Sequence, residues 1–93
     1  MDEDRLHALH EHLEATGERP VERTASRWLG EAEAIALDAA ITDLAPAVRR
    51  ERVAKVAELL EEFDSTGDEK ADEHVDAARS LAADLLAESE PDS

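Results

Sequence analysis

The sequence predicts an all-α protein, either an antiparallel four-helix bundle or a pair of helical hairpins, from three observations. Glycine, proline and small polar residues break the chain near residues 16–20, 43–46 and 64–68. Between these breaks, apolar residues recur every three or four positions, which is the period of a helix face buried against a core. Pro20 and Pro46 also stand where a helix tolerates proline, in its first turn.

The breaks and the apolar period place four helices in a single domain, residues 1–93. These helices are expected near residues 2–15, 20–43, 46–64 and 68–88, followed by a flexible tail at 89–93. A chain of this length buries only about 60 to 65% of the surface that its unfolded form exposes. With one Phe, one Trp and no Tyr, the core is expected to consist of small and aliphatic side chains.

The first, third and fourth expected helices each carry one apolar stripe, as helix-on-helix packing requires. The stripe of the first helix comprises Leu6, Leu9 and Leu13. That of the third comprises Val53, Val56, Leu59, Leu60 and Phe63, and that of the fourth comprises Ala71, Val75, Ala78, Ala82 and Leu85. Thr66 and Glu69 have the spacing of a capping box, which predicts Thr66 as the N-cap of the fourth helix.

The second expected helix differs because it carries two apolar stripes on nearly opposite sides. One comprises Val21, Ala25, Trp28, Ala32, Ile35 and Ala39, and the other comprises Gly30, Ala34, Leu37, Ile41 and Leu44. A helix that is apolar on both sides is normally buried on both sides. Two interpretations follow: the helix is covered by neighbours of its own chain, or its second stripe pairs with another subunit. Gly30 costs a helix interior roughly 1 kcal/mol relative to Ala, so it predicts close approach of another helix.

A shift of 50 residues superimposes the first half of the chain on the second without gaps. Thr16 then falls on Thr66, and Leu6, Leu9 and Leu13 fall on Val56, Leu59 and Phe63. The chain therefore reads as two helical hairpins of similar design, although any two hairpins with heptad-like stripes can be brought into register.

Acidic residues dominate the composition: 25 Asp and Glu stand against 10 Lys and Arg, a formal net charge of -15. Such charge destabilises a compact state by self-repulsion, which salt screens. A carboxylate-rich chain in which Arg outnumbers Lys resembles proteins of salt-accumulating halophiles, and this one resembles short, acidic, all-helical proteins of haloarchaea. That resemblance implies a salt-adapted protein and no particular activity.

The same composition restricts the partners. Nucleic-acid phosphates would be repelled, which disfavours direct backbone binding but leaves a nucleic-acid mimic as an alternative function. The N-terminus lacks the features of a signal peptide, and no apolar run approaches about 18 residues, so we expect a cytoplasmic protein without membrane contact.

Two clusters of candidate metal ligands stand out, and neither leads us to expect a metal or a cofactor. The first lies in the first helix and comprises Glu3, His7, His10, Glu11, His12 and Glu14. It lacks the HExxH spacing of zinc hydrolases and is expected to be a solvated face.

The second cluster pairs an ExxE motif, Glu58 and Glu61, with an ExxD motif, Glu73 and Asp76. This pair resembles the divalent-metal motif of the MazG family of nucleotide pyrophosphohydrolases, in which facing carboxylates hold Mg²⁺ against the substrate's phosphates. The resemblance implies a metal-dependent hydrolase as an alternative function. Helical projection instead turns Glu58 and Glu61 towards solvent, so the sequence predicts no catalytic residue and no enzyme.

Arg49, Arg50 and Arg52 concentrate positive charge at the start of the third helix, where they oppose its dipole. They are expected to pair with carboxylates of a neighbouring helix or to receive an anionic group from a partner. The sequence therefore predicts a helical module that associates with itself or with another protein. The predicted interface comprises Gly30, Ala34, Leu37, Ile41 and Leu44.

Overall fold

The computed structural model describes residues 1–88 of the chain, which form four α-helices and no strand. The helices are α1 (Glu3–Thr16), α2 (Arg23–Ile41), α3 (Pro46–Leu60) and α4 (Glu69–Glu88). The prediction of an all-α fold is confirmed. The expected flexible tail, residues 89–93, lies outside the described residues.

The four helices are arranged as a ring. Helix α1 packs on α2 and α4, and α3 packs on the same two helices, whereas the diagonal pairs within residues 1–88 do not approach within 8 Å between Cα atoms. Arg5, near the start of α1, pairs with Glu88 at the end of α4. Arg19, just beyond α1, pairs with Asp68 just before α4. These contacts show that α1 and α4 run antiparallel, as in an up-and-down four-helix bundle.

Small side chains fill much of the core, especially on α2. The buried residues of this helix are Ala25, Leu29, Ala32, Ala36 and Ala39. Larger side chains from the other helices pack against them, including the fully buried Leu9, Leu13 and Leu60. Because alanine adds little bulk, α2 lies close to its two neighbours while presenting its opposite side to solvent.

Many residues 50 positions apart share the same burial, but the loops that follow the two corresponding helices differ in conformation. Thr16 and Thr66 are both buried, at 1% and 0% exposure. Thr16 donates its hydroxyl to the carbonyl of Leu13 at 2.6 Å. The two glycines that follow differ: Gly67 adopts a φ of +83°, whereas Gly17 has a φ of -66°. The two hairpins therefore share a pattern of buried positions and close with different loops.

Helix α2 starts at Arg23, so Pro20 lies before the helix and not in its first turn as predicted, and helices α2 and α3 end earlier than predicted. An arginine side chain binds the end of each. Arg79 of α4 donates to the carbonyls of Leu60 and Phe63, so the chain leaves the helical path after Leu60 and Phe63 turns back against the core. Arg49 donates to the carbonyls of Ala39 and Thr42 at the end of α2. The side chains satisfy carbonyls that have no partner within their own helix.

Asp68, rather than Thr66, caps α4, which corrects the predicted capping box. The Asp68 carboxylate accepts from the backbone N–H of Ala71 at 2.9 Å, as an N-cap residue does. Thr66 lies two residues earlier, and its backbone N–H and hydroxyl each lie 2.8 Å from Oδ1 of Asp72. Thr66 thus links the loop to the first turn of α4 and does not cap the helix.

These hydrogen bonds lower the pKa values of both carboxyl groups. Arg19 donates to Asp68, and together with the N–H of Ala71 it holds the pKa of Asp68 below its usual range. The backbone N–H of Thr66, followed by its hydroxyl, lowers the pKa of Asp72. Each bond favours the ionised carboxylate, so both groups stabilise the fold in their charged form.

We expect part of this stability to be lost in acid. A carboxyl group whose pKa is lowered by folding stabilises the protein above its unfolded pKa, about 3.9 for Asp, and ceases to do so as pH falls through the folded value. Asp72→Asn should therefore be less stable than the unchanged protein at about pH 6, and the difference should shrink towards about pH 2. Urea unfolding followed by circular dichroism, at constant high KCl, measures this difference.

Asp64→Asn is the matched control, because Asp64 is an exposed residue of the same loop. This exposed substitution should change the free energy of unfolding by about 0.5 kcal/mol or less. A difference between Asp72→Asn and the unchanged protein that stays constant across the acid range would contradict the hydrogen-bonded role of Asp72.

Candidate functional site

The predicted interface residues lie on the side of α2 that faces away from the core. Gly30 and Ala34 are exposed, Leu37 is 39% exposed and Ile41 is 68% exposed, while Leu44 beyond the helix is half-buried. Within residues 1–88, Leu37 and Ile41 are the large apolar side chains classed as exposed. The interpretation in which the chain's own helices cover this stripe is therefore wrong. We call these five residues the outer face of α2.

The opposite side of α2 packs into the bundle, rotated slightly from the predicted stripe. Ala25, Ala32 and Ala39 are buried as expected, and Trp28 and Ile35 are half-buried at its edge. The sequence reading missed Leu29 and Ala36, which complete the buried face. Leu29 and Ala36 each follow a residue of the predicted stripe, so the buried face extends to one side of it.

No other helix of the chain approaches α2 closely at Gly30. A Cβ atom built on Gly30 would meet no heavy atom within 4 Å, so the predicted approach of another helix does not occur inside this bundle. Gly30 instead lines a shallow cleft between α1 and α2, beside Ser26 and Glu33. The absent side chain leaves the backbone of α2 accessible from outside.

Charge along the outer side of α2 changes from positive to negative. Arg23 and Arg27 are exposed two turns and one turn before Gly30, respectively, and Arg27 stacks on Trp28 with 5.6 Å between the guanidinium carbon and the ring centre. Within residues 1–88, no ion pair involves either arginine. Asp38 lies near the other end, 3.4 Å from Arg52. The charges of α2 itself therefore change from two arginines near its start to Asp38 near its end, where Arg52 of α3 pairs with Asp38. The exposed Glu31 lies beside the apolar residues between them.

Two of the three arginines at the start of α3, Arg49 and Arg52, bind groups of α2. Arg52 pairs with Asp38, which confirms for this residue the expected pairing with a neighbouring helix. Arg49 binds the last carbonyls of α2, where a positive charge is favourable to the helix dipole. The unfavourable interaction of Arg49 with the dipole of α3 is thus offset by its favourable interaction with the dipole of α2.

The structure divides the histidine cluster of α1 between two neighbouring helices. His7 is exposed. His10 turns towards α2, with its Nε2 atom 4.0 Å from Glu33, and His10, Glu14 and Glu33 each offer a ligand atom within 4.8 Å of one another. Glu3 and Glu11 belong to no such group within residues 1–88.

His12 turns instead towards α4, where its Nδ1 atom lies 3.0 Å from Nδ1 of His74. Both side chains are half-buried. The sequence reading placed His74 in the ExxD segment and did not connect it with His12, from which it is separated by 62 positions. Only the antiparallel register of α1 and α4 brings the two rings together.

The carboxylates of the ExxE and ExxD motifs do not converge. Glu58, Glu61, Glu73 and Asp76 are all exposed. Glu58 pairs with Lys55 on its own helix at 3.7 Å, and Glu73 pairs with Lys70 at the same distance. Among residues 1–88, none of the four belongs to a group of three candidate metal ligands. The paired carboxylate site implied by the resemblance to MazG is not formed by this arrangement.

No helix within residues 1–88 has both the length and the apolar character needed to cross a membrane. The model of one protein family, described as a domain of unknown function (DUF8152), matches residues 5–92. No curated protein and no solved structure matches the chain.

Proposed function

We propose that the chain, which belongs to the DUF8152 family over residues 5–92, is a salt-adapted cytoplasmic module that self-associates. Two copies pair through the outer face of α2, and the family's role is carried out by the resulting dimer. The exposure of Leu37 and Ile41 beside the small residues Gly30 and Ala34 is the observation that supports this most directly.

Apolar exposure on this side of α2 has a physical cost that pairing removes. Burial of apolar surface contributes roughly 25 cal/mol per Å². Leu37 and Ile41 lie one turn apart, and Ala34 precedes Leu37 by one turn, so their side chains form one continuous strip. Gly30 and Ala34 add little bulk, which allows the backbone of a second helix to approach closely.

Charge complementarity favours a second copy in antiparallel orientation. In a two-fold arrangement centred on Ala34, Arg27 of each copy faces the partner's Ile41, because each lies seven residues from the centre. Asp38 lies one turn before Ile41, so Arg27 of each copy comes within one helical turn of the partner's Asp38, beside the Arg52 that already contacts this carboxylate. Such pairing is self-complementary, as a two-fold interface requires.

The net charge makes this association dependent on salt. Each copy carries a formal charge of -15, so two copies repel one another at low ionic strength. At about 1 M salt the Debye length falls to about 3 Å, which suppresses that repulsion while leaving apolar contact intact. We therefore expect association to strengthen as KCl rises, which suits a protein of a salt-rich cytoplasm.

Sedimentation velocity across a concentration series tests the proposal, at about 0.1 M KCl and at about 2 M KCl. The unchanged protein should sediment as a reversible dimer at high salt. Replacing Leu37 and Ile41 together by Gln, a good helix former, should raise the dissociation constant by about tenfold or more, since each change acts twice in a two-fold interface.

Ala83→Gln combined with Ala87→Gln is the matched control, because both alanines are exposed on α4. This variant should dimerise as the unchanged protein does. A chain that stays monomeric at high salt and concentration would contradict self-association, and retention of a different protein by the outer face would then favour an adaptor role.

A further inference from the structure

His12 and His74 form a pair of nitrogen donors outside the outer face of α2. Their Nδ1 atoms lie 3.0 Å apart, and their ring centres lie 5.3 Å apart with the planes inclined at 44°. A hydrogen bond between two imidazole nitrogens requires that at least one ring be neutral, with its Nδ1 lone pair directed at the other. The two helices thus hold two metal-binding atoms side by side.

The separation of the two nitrogens corresponds to one coordination geometry better than to another. Metal–imidazole bonds of about 2.0 to 2.1 Å place two ligand nitrogens about 2.9 Å apart at a right angle and about 3.3 Å apart at a tetrahedral angle. The observed 3.0 Å therefore matches adjacent positions of a square-planar or octahedral ion. These geometries are typical of Cu²⁺ and Ni²⁺, which imidazole binds well.

We propose that His12 and His74 together bind one divalent transition-metal ion of the nickel and copper class. The ion lies to one side of the line between the two Nδ1 atoms, the proton that they share is released to solvent, and water completes the coordination. Because the ligands come from α1 and α4, the ion links the first helix to the last and stabilises the folded chain. The excess of acidic residues attracts cations to the surface and assists binding.

The group formed by His10, Glu14 and Glu33 is the competing position for a cation. It offers one nitrogen and two carboxylates, and these atoms are spread over as much as 4.8 Å. Carboxylate ligands suit Mg²⁺ and Ca²⁺, whereas a pair of imidazoles does not. An excess of Mg²⁺ therefore distinguishes the two positions, because it occupies carboxylate groups and leaves the histidine pair free.

Titration of the full chain with NiCl₂, in high KCl with excess MgCl₂, tests the proposal by calorimetry and thermal unfolding. One Ni²⁺ should bind per chain and raise the melting temperature. His12→Gln and His74→Gln should each weaken binding by about tenfold or more. Even the loss of a residue that only hydrogen-bonds a metal ligand lowers metal affinity by about 10- to 100-fold. His7→Gln, an exposed change on the same helix, should leave binding unchanged.

A measurement on the unchanged chain tests the site without any substitution, so it does not depend on whether a variant folds. Paramagnetic Ni²⁺ should broaden the ring signals of His12 and His74 in nuclear magnetic resonance spectra before those of His7 and His10. Binding that survives His12→Gln and His74→Gln, or that disappears in His10→Gln, would overturn the proposal. The same holds if His7→Gln weakens binding as much as either substitution in the pair.

Discussion

Replacing Leu9 by Ala is expected to lower the free energy of unfolding by about 2 to 5 kcal/mol. Leu9 lies in the middle of α1 and is fully buried. The buried alanines of α2 cannot fill the space that Leu9 leaves, because each of their side chains is a single methyl group. A loss of this size is a large part of the roughly 5 to 15 kcal/mol that stabilises a typical domain. Urea unfolding of dilute protein at constant high KCl measures it.

Leu37→Ala is the matched control for Leu9→Ala. Leu37 is also a helical leucine, yet it is 39% exposed on the outer face of α2. Its replacement should cost about 1 kcal/mol or less in the monomer. Equal losses from the two substitutions would contradict the assignment of inner and outer helix faces.

Replacing Arg79 by Met is expected to lower the free energy of unfolding by about 2 kcal/mol. Hydrogen bonds from a charged group contribute about 1.5 to 3 kcal/mol each, and water that binds the freed carbonyls recovers part of the loss. The guanidinium donates to the carbonyl of Leu60 at 2.7 Å and to that of Phe63 at 2.9 Å. It also lies over the Phe63 ring, with 5.7 Å between the guanidinium carbon and the ring centre. Methionine keeps much of the apolar stem and removes every one of these polar contacts. Denaturant unfolding gives the difference.

Arg23→Met provides the comparison for Arg79→Met. Arg23 is exposed at the start of α2, and no hydrogen bond or ion pair of its side chain occurs within residues 1–88. This change should alter stability by about 0.5 kcal/mol or less. If both substitutions had the same small effect, Arg79 would not hold the end of α3.

Apolar period made the helices and their buried faces predictable. Leu6, Leu9 and Leu13 recur at helical spacing and are all buried, and the second stripe of α2 lies outside the core because the first stripe already occupies its inner side. Local spacing carries this information, since a helix face is determined by residues three and four apart.

Contacts between distant segments were not predictable in the same way. The carbonyls of Leu60 and Phe63 accept from Arg79, and His12 meets His74, only because α4 returns antiparallel to its neighbours. Neither pairing leaves a local signal. The break at residues 64–68 predicted the end of the third helix at residue 64, whereas the structure ends it at Leu60.

The N-cap of α4 was assigned to Thr66 for a local reason. Thr66 and Asp68 are both residue types that cap helices, and the capping-box spacing of Thr66 and Glu69 favoured the first. Burial of Thr66 and its bonds to Asp72 select Asp68 instead. Sequence pattern alone does not distinguish two capping residues that lie two positions apart when the loop geometry decides between them.

Self-association through the outer face of α2 is most directly tested by cross-linking at Ala34. The chain contains no cysteine, so a single Cys reports one position. Disulfides form when Cα atoms approach to about 4.4 to 6.8 Å, which requires Ala34 to lie near the two-fold axis. Under mild oxidation at high KCl, Ala34→Cys should form a covalent dimer faster than Ala83→Cys, an exposed position on α4. Equal rates, or faster cross-linking at residue 83, would contradict the proposed dimer.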